Sequence, residues 1–222
     1  MTAPRGIAHE HVAFDLDGTL VDSRADLAAA VNHVLRELGR PEIDPVTVYG
    51  YVGDGARVLV QRALGDVSAA EVDAGVAAFM EYYGAHLLDA TRPYPGMREV
   101  LDALMALGVR CSVLTNKPAC LSTAIVDGLG LAAHFVAVVG GDSLPTRKPD
   151  PAGLEHLRRL TGTVPSRMLL VGDSSVDVQT AEAAGVAFCG VAWGLVPENL
   201  RAARPERIIA EPRELLAVVA GT

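Results

Sequence analysis

The chain has 222 residues, a length that fits one large domain or a domain carrying an insertion at roughly 150 residues per domain. Its residues are 50% hydrophobic and 21% charged, which excludes intrinsic disorder and provides apolar side chains for a sizeable core. The net charge is −8 without any cluster of Lys and Arg, which argues against a nucleic-acid-binding surface. No apolar run approaches the roughly 20 residues of a transmembrane helix.

The first predicted strand is a short apolar run over residues 11–16. It leads into the segment Asp15-Leu16-Asp17-Gly18-Thr19, which brings carboxylates to the end of the strand. Ser23, followed three residues later by Asp26, predicts a helix start. Apolar residues at helical spacing then predict an amphipathic helix that ends at Gly39.

Two more helices are predicted before the next strand. One spans residues 55–64, and the other begins with a capping box at Ser68 and Glu71 and continues to about Leu88. We therefore expect residues 21–90 to form an all-helical insertion.

Helices and strands alternate in the rest of the chain. Predicted helices cover 97–107, 119–128, 151–160, 178–184 and 213–219, and predicted strands cover 109–114, 135–139, 168–171, 186–191 and 208–210. This alternation predicts an α/β fold with a doubly wound, Rossmann-like parallel sheet. Residues 1–20 and 91–222 would form this core.

Polar residues follow four of the predicted strands. They are Asp15, Asp17 and Thr19; Thr115, Asn116 and Lys117; Asp142 and Lys148; and Asp173 and Asp177. Since ligands of open α/β sheets bind at the carboxyl ends of the strands, we expect these side chains around one crevice.

Apart from Asp142, four of these residues are carboxylates, namely Asp15, Asp17, Asp173 and Asp177. Carboxylates gathered at one point repel each other unless a cation holds them ionised. Oxygen ligands with open water positions suit Mg²⁺, which we expect as the cofactor.

Thr115 and Asn116 stand where a strand ends and a helix begins, so a phosphate could be held there by free N–H groups and the Thr115 hydroxyl. Each could instead be a plain helix cap. Lys148, taken alone, could equally be a solvated loop cation. Their convergence with the carboxylates favours a phosphate site.

The segments Asp15-x-Asp17-Gly18-Thr19, Thr115-Asn116, Lys148-Pro149 and Gly172-Asp173-x-x-x-Asp177 resemble the four motifs of the haloacid dehalogenase-like hydrolase superfamily. The resemblance covers almost the entire chain. It implies a phosphatase in which residues 21–90 are a helical cap.

The resemblance also implies roles for the strand-end residues. Asp15 would be the nucleophile that forms an aspartyl-phosphate, and Asp17 would be the general acid and base. Asp15, the Asp17 carbonyl and Asp173 would hold Mg²⁺, with Asp177 near or behind it. Lys148 and Thr115 would orient the phosphoryl group.

Residues 51–57 and 140–151 look like those of the phosphoglycolate phosphatase branch, so 2-phosphoglycolate is the expected substrate. Arg57 could bind the substrate carboxylate, although a solvated position on a helix explains it equally well. The open alternatives are a sugar-phosphate phosphatase, a pyrophosphatase or a phosphomutase of the same branch. A remote one is a non-catalytic, phosphorylatable receiver-like module.

The remaining expectations concern partners and location. We expect a small phosphorylated metabolite as ligand, no nucleic-acid or membrane partner, and a monomer or homodimer. The N-terminal residues contain no apolar run typical of a secretory signal, and the three cysteines suit reduced thiols. Both features favour the cytoplasm.

Overall fold

The computed structural model of the protein describes residues 7–222. Residues 1–6, which belong to the predicted core segment 1–20 and to the stretch interpreted as lacking a secretory signal, lie outside the described residues. Within the described part of the chain, no helix is long and apolar enough to span a membrane. Cys111 and Cys189 are buried and Cys120 is exposed, and all are free thiols.

The strands and helices follow each other in an alternating order. The strands are β1 His11–Phe14, β2 Val21–Asp22, β3 Arg92–Pro93, β4 Arg110–Leu114, β5 Phe135–Val139, β6 Met168–Gly172, β7 Ala187–Val191 and β8 Ile208–Ile209. The helices are α1 Arg24–Glu37, α2 Pro45–Tyr49, α3 Ala56–Leu64, α4 Ala69–Ala85, α5 Met97–Ala106, α6 Ala119–Gly128, α7 Ala152–Thr161, α8 Ser175–Ala184, α9 Pro197–Ala202 and α10 Leu215–Ala220.

Six strands form one parallel sheet in the order β5-β4-β1-β6-β7-β8. Strand β1 lies inside it, and His11 pairs with Arg110 of β4 on one side and with Met168 of β6 on the other. Because all three strands run in the same direction, their carboxyl ends meet at one edge. This confirms the predicted doubly wound core and places the strand-end residues together.

Helices cover both faces of the sheet. Alternate residues of β1 face opposite sides, so Phe14 packs in one apolar cluster with α5, α6 and α10. Ala13 packs in the other, with α7 and α8. A parallel sheet buried on both faces reads as near-continuous hydrophobic runs, which is why the core strands could be recognised in the sequence.

Four helices, α1 to α4, lie between β2 and β3. These two short strands pair antiparallel, so the chain leaves and re-enters the core side by side. The Asp26 carboxylate of α1 accepts hydrogen bonds from the backbone N–H groups of Ala90 and Thr91 and from the Thr91 hydroxyl, which fixes the returning chain. The capping box of Ser68 and Glu71 is confirmed at the start of α4.

The structure differs from the sequence prediction in its shortest elements and at the ends of some longer ones. Strands β2 and β3 were not predicted, and β2 lies within residues 21–90, which were expected to be all-helical. Helices α2 and α9 were not predicted, because five or six residues are too few to show helical periodicity. Helix α8 begins at Ser175 rather than at residue 178, since the Ser174 hydroxyl accepts the Asp177 N–H as its N-cap. Strand β1 ends at Phe14, two residues before the predicted end.

Candidate active site

A cavity of about 200 Å³ opens at the carboxyl ends of β1, β4 and β6. Its polar floor contains Asp15, Asp17, Thr115 and Asp173 from the strand ends. Helices α1, α3 and α4 contribute apolar side chains to the walls. The cavity therefore lies between the sheet and the helices of the inserted segment.

Three buried carboxylates form an acid cluster, which we define as Asp15, Asp173 and Asp177. One oxygen of each lies within 4.8 Å of the others. Asp15 Oδ1 accepts the Leu16 N–H at 2.8 Å, and Asp173 Oδ2 accepts the Leu195 N–H at 2.7 Å. The second oxygens of Asp15 and Asp173 accept no hydrogen bond from the described residues, so both can take a further ligand.

The acid cluster is electrostatically costly. Burial raises the pKa of Asp15 to about 6; the Lys148 ammonium opposes this rise and the Asp177 carboxylate adds to it. Burial, together with Asp15 and Asp177, also holds the pKa of Asp173 well above its usual value. The cluster thus lacks positive charge, as expected for a site that takes a cation.

Lys148 links two members of the acid cluster. Its ammonium lies 2.9 Å from Asp15 Oδ1 and 2.6 Å from Asp177 Oδ1. Burial alone would lower the pKa of Lys148, but the two carboxylates raise it. Asp177 Oδ2 accepts hydrogen bonds from the hydroxyl and the N–H of Ser174. Both oxygens of Asp177 are therefore occupied, and this residue stands behind the other two.

Two glycines permit the position of Asp173. Gly18 has a φ of +84°, and a Cβ there would overlap the Asp173 carboxylate and the Leu195 side chain. A Cβ on Gly194 would overlap the same carboxylate. Gly18 follows Asp17 because the turn needs both a left-handed backbone and the absence of a side chain.

Asp17 is not part of the acid cluster and has other partners. Its carboxylate accepts two hydrogen bonds from the Lys117 ammonium, at 2.9 and 3.0 Å, and one from the Ser23 hydroxyl at 2.6 Å. The side chain of Asp17 therefore faces the cavity beside a cation. A metal contact through the Asp17 carbonyl stays a prediction.

Thr115 and Asn116 lie at the end of β4, as predicted. The Thr115 hydroxyl accepts the Lys117 N–H at 3.2 Å. Asn116 Nδ2 donates to the carbonyls of Gly53 and Lys148, at 2.9 and 3.0 Å, so this amide joins the inserted segment to the Lys148 loop. Asn116 Oδ1 is buried without a partner among the described residues.

The start of α6 differs from the expectation of wholly free N–H groups. The Asp142 carboxylate accepts the Ala119 N–H at 2.7 Å. Asp142, predicted at the crevice, therefore caps a helix and is not among the residues that line the cavity.

Arg57 is not brought to the cavity. Its guanidinium pairs with Asp73 on the exposed surface of α3 and α4. Arg62, five residues later, lines the cavity and pairs with Asp54 at 2.6 Å. Residues five apart on a helix lie on different faces, so only one of the two arginines can face inward. The placement does not support Arg57 as a substrate ligand.

Two residues of the site, Tyr83 and Ser23, were not predicted there from the sequence, and Ser23 was interpreted only as a helix start. The Lys117 ammonium donates to the Tyr83 hydroxyl at 2.8 Å in addition to Asp17. Lys117 was expected at the crevice because it directly follows Thr115 and Asn116, and it lines the cavity. Tyr83 could not be predicted there, since an aromatic residue on the apolar face of a helix is typical of a core position.

The chain is similar in sequence to a known family and to curated members of it. Residues 12–191 match the family described as haloacid dehalogenase-like hydrolase. A phosphoglycolate phosphatase of Chromobacterium violaceum is 44% identical over 188 residues, which cover 82% of this chain and 85% of that protein. A phosphoglycolate phosphatase of Neisseria gonorrhoeae is 41% identical over 220 residues, which cover 94% and 93%.

A solved structure is also closely similar. The crystal structure of a predicted phosphoglycolate phosphatase from Haemophilus somnus 129PT has a TM-score of 0.90 and 34% identity, and the match covers 95% of this chain and 98% of that one. The residues matched by the family, 12–191, include both the acid cluster and the helices between β2 and β3.

Proposed function

Because this chain belongs to the haloacid dehalogenase-like hydrolases, as a phosphoric monoester hydrolase of their phosphoglycolate phosphatase-like branch, we propose that it hydrolyses 2-phosphoglycolate to glycolate and phosphate. The observation that carries the chemistry is the Asp15 carboxylate, which lies on the cavity floor with one oxygen unengaged and the Lys148 ammonium at the other. The small cavity supports a small substrate, since pockets for drug-sized ligands are about 300–1,000 Å³.

In the first step, the free oxygen of Asp15 attacks phosphorus. A bond forms between this oxygen and phosphorus, the ester bond breaks, and the leaving oxygen takes a proton from Asp17. The Lys148 ammonium beside Asp15 offsets the repulsion between an anionic nucleophile and an anionic phosphate. The Thr115 hydroxyl orients a phosphoryl oxygen, a role supported by the position of Thr115 in the lining of the cavity.

In the second step, water hydrolyses the aspartyl-phosphate. Asp17 takes a proton from the water, the new oxygen–phosphorus bond forms, and the bond to Asp15 breaks, which restores both carboxyl groups. The Ser23 hydroxyl and the Lys117 ammonium fix the orientation of Asp17 for both proton transfers.

The residues of the acid cluster fit a divalent metal ion. All are hard oxygen donors, and the raised pKa values of Asp15 and Asp173 reflect a buried shortage of positive charge. Asp15 and Asp173 would hold Mg²⁺ together with the Asp17 carbonyl, while Asp177 stands behind them. When bound, the ion supplies charge that neutralises the phosphoryl oxygens.

The proposal divides the chain into a core of residues 1–20 and 91–222 and a cap of residues 21–90. The antiparallel pair of β2 and β3 supports this division, since it joins the two connections of the helical segment. A monomer or homodimer in the cytoplasm stays a prediction from the sequence.

The role of Asp15 is tested with Asp15→Asn, which keeps the shape of the side chain but removes the nucleophile. We expect kcat for 2-phosphoglycolate to fall by roughly a thousand-fold or more while the protein remains folded. Phosphate release and circular dichroism measure the two effects. Asp73→Asn, an exposed isosteric change, is the matched control. Appreciable activity of Asp15→Asn would remove Asp15 from its proposed role.

The substrate is tested by ranking kcat/KM over phosphorylated metabolites with and without Mg²⁺. We expect 2-phosphoglycolate to rank first and activity to depend on the metal. Interconversion of sugar-phosphate isomers without release of phosphate would instead identify a phosphomutase, and a higher rank for a sugar phosphate or pyrophosphate would identify another phosphatase of the branch.

A further inference from the structure

We propose that Lys117, held between Asp17 and Tyr83, binds a second anionic group on the substrate and thereby selects esters that carry a carboxylate next to the phosphate. The inference rests on the proposed function and assigns the substrate specificity of that reaction to one side chain.

Lys117 is a buried ammonium that borders the cavity. Only 5% of its side chain is exposed, and its partners are the Asp17 carboxylate and the Tyr83 hydroxyl. The ammonium also lies 4.5 Å from the centre of the Tyr83 ring. An ammonium has three N–H donors, and two of them contact the same carboxylate. One Asp17 contact can therefore be exchanged for a substrate oxygen while Asp17 and Tyr83 keep the side chain in place.

Among the described residues that line the cavity, the cationic side chains are Lys117 and Arg62. Arg62 is 41% exposed and already pairs with Asp54, so solvent screens its charge. Lys148 is engaged with Asp15 and Asp177. Lys117 is thus the buried cation that faces the cavity without facing the acid cluster.

The distance from Asp17 sets which anion can reach Lys117. A general acid lies within about 3 Å of the atom that it protonates. Because Lys117 Nζ is 2.9 Å from Asp17 Oδ1, the ammonium lies next to the position of the ester oxygen. A carboxylate separated from the ester oxygen by a single methylene group, as in 2-phosphoglycolate, reaches the ammonium. Larger acids would place their carboxylate beyond it.

The walls around Lys117 strengthen this selection. Leu27, Phe79 and Leu121 line the same cavity and offer no hydrogen bond to an anion. In such surroundings water competes weakly, so a charge pair contributes more than it would at the surface. An ester without the second anion would form no charge pair with Lys117, but it would still place its phosphate at Asp15.

The experiment compares 2-phosphoglycolate with ethyl phosphate, in which a methyl group replaces the carboxylate, in the presence of Mg²⁺. We expect the wild-type protein to prefer 2-phosphoglycolate. Lys117→Met should reduce this preference by about 10- to 100-fold, the loss of one hydrogen bond to a charged group, and Lys117→Arg should restore part of it. Arg62→Met is the matched control and should keep the preference.

Changes at Lys117 also disturb Asp17, so turnover of both esters is expected to fall and the ratio of the two kcat/KM values is the decisive quantity. An equal loss for both esters, or a wild-type protein without preference, overturns the inference and leaves the proposed phosphatase reaction intact. No hydrolysis of either ester by the wild-type protein overturns both.

If the Lys117→Met protein hydrolyses neither ester, the affinity for the two esters tests the inference instead. Titration calorimetry on proteins that carry Asp15→Asn measures affinity without turnover. A loss of affinity confined to 2-phosphoglycolate when Lys117→Met is added supports the inference, and unchanged affinity for both esters overturns it.

Discussion

Gly18 lies against the Asp173 carboxylate in a backbone conformation that side chains rarely adopt. Its φ of +84° is shared by Gly96, where a Cβ would meet open space. The two glycines therefore separate two effects of a substitution, the strain of the backbone and the displacement of a neighbour. Backbone strain of this kind costs about 1–2 kcal/mol for a residue other than glycine.

We expect Gly96→Ala to lower stability by about that amount and to leave kcat/KM unchanged. Gly18→Ala carries the same strain and in addition displaces Asp173, so kcat/KM should fall at least about tenfold and Mg²⁺ should bind more weakly. Thermal unfolding and phosphate-release kinetics measure these effects. Equal activity in the two variants would show that the position of Asp173 tolerates a Cβ on Gly18.

For single residues, the sequence predicts the position relative to a strand end more readily than the face of a helix on which a side chain lies. Asp15, Asp17, Thr115 and Asp173 could be placed because each follows a strand closely, and parallel strands end together. Arg57 and Arg62 lie on the same helix, and the charge pattern alone does not tell which face turns to the cavity. Tyr83 reaches Lys117 from a helix distant in sequence, and this contact depends on tertiary packing.

Three helices begin after a serine that has an acid three residues later. In α4 and α8 the serine and the acid form a reciprocal capping box. In α1 the same pattern serves other contacts, because the Ser23 hydroxyl donates to Asp17 and Asp26 binds the returning chain at Thr91. The pattern therefore predicted the start of α1 correctly but not the use of its side chains.

This difference predicts opposite effects of two equivalent substitutions. Ser68→Ala removes a true cap and should cost about 1 kcal/mol of stability with little change in kcat. Ser23→Ala removes a hydrogen bond to a charged group in the site, so kcat should fall by about 10-fold or more. Chemical unfolding and steady-state kinetics on both variants test this. A normal kcat for Ser23→Ala would mean that Lys117 alone orients Asp17.

The buried carboxylates of the acid cluster lower the stability of the folded protein when they are ionised, so stability depends on pH. Burial raises the pKa of Asp15 from 3.8 to about 6. Over that range the folded protein binds more protons than the unfolded chain, so the metal-free protein loses stability as the pH rises through it. A divalent cation binds the ionised carboxylates and offsets the loss.

We therefore expect Mg²⁺ to raise Tm more at about pH 7.5 than at about pH 4.5, where protons compete for the same oxygens. At a hundred times its Kd, the ion would add about 2.7 kcal/mol, or roughly 5–10 °C in a protein of this size. Differential scanning calorimetry gives the shift, and Asp173→Asn should abolish most of it. A shift that is equal at both pH values would contradict this linkage.

The antiparallel pairing of Val21 with Pro93 has a consequence for how such a protein changes over evolutionary time. Paired strands run about 5 Å apart, so the segment between them can be replaced by one of another length without rethreading the sheet. The strand-end residues to which we assign the chemistry lie outside this segment. A replacement would thus leave Lys117 and the strand-end residues in place and change only the cavity walls that the helices supply, provided that it supplies a partner for Lys117 at the position of Tyr83.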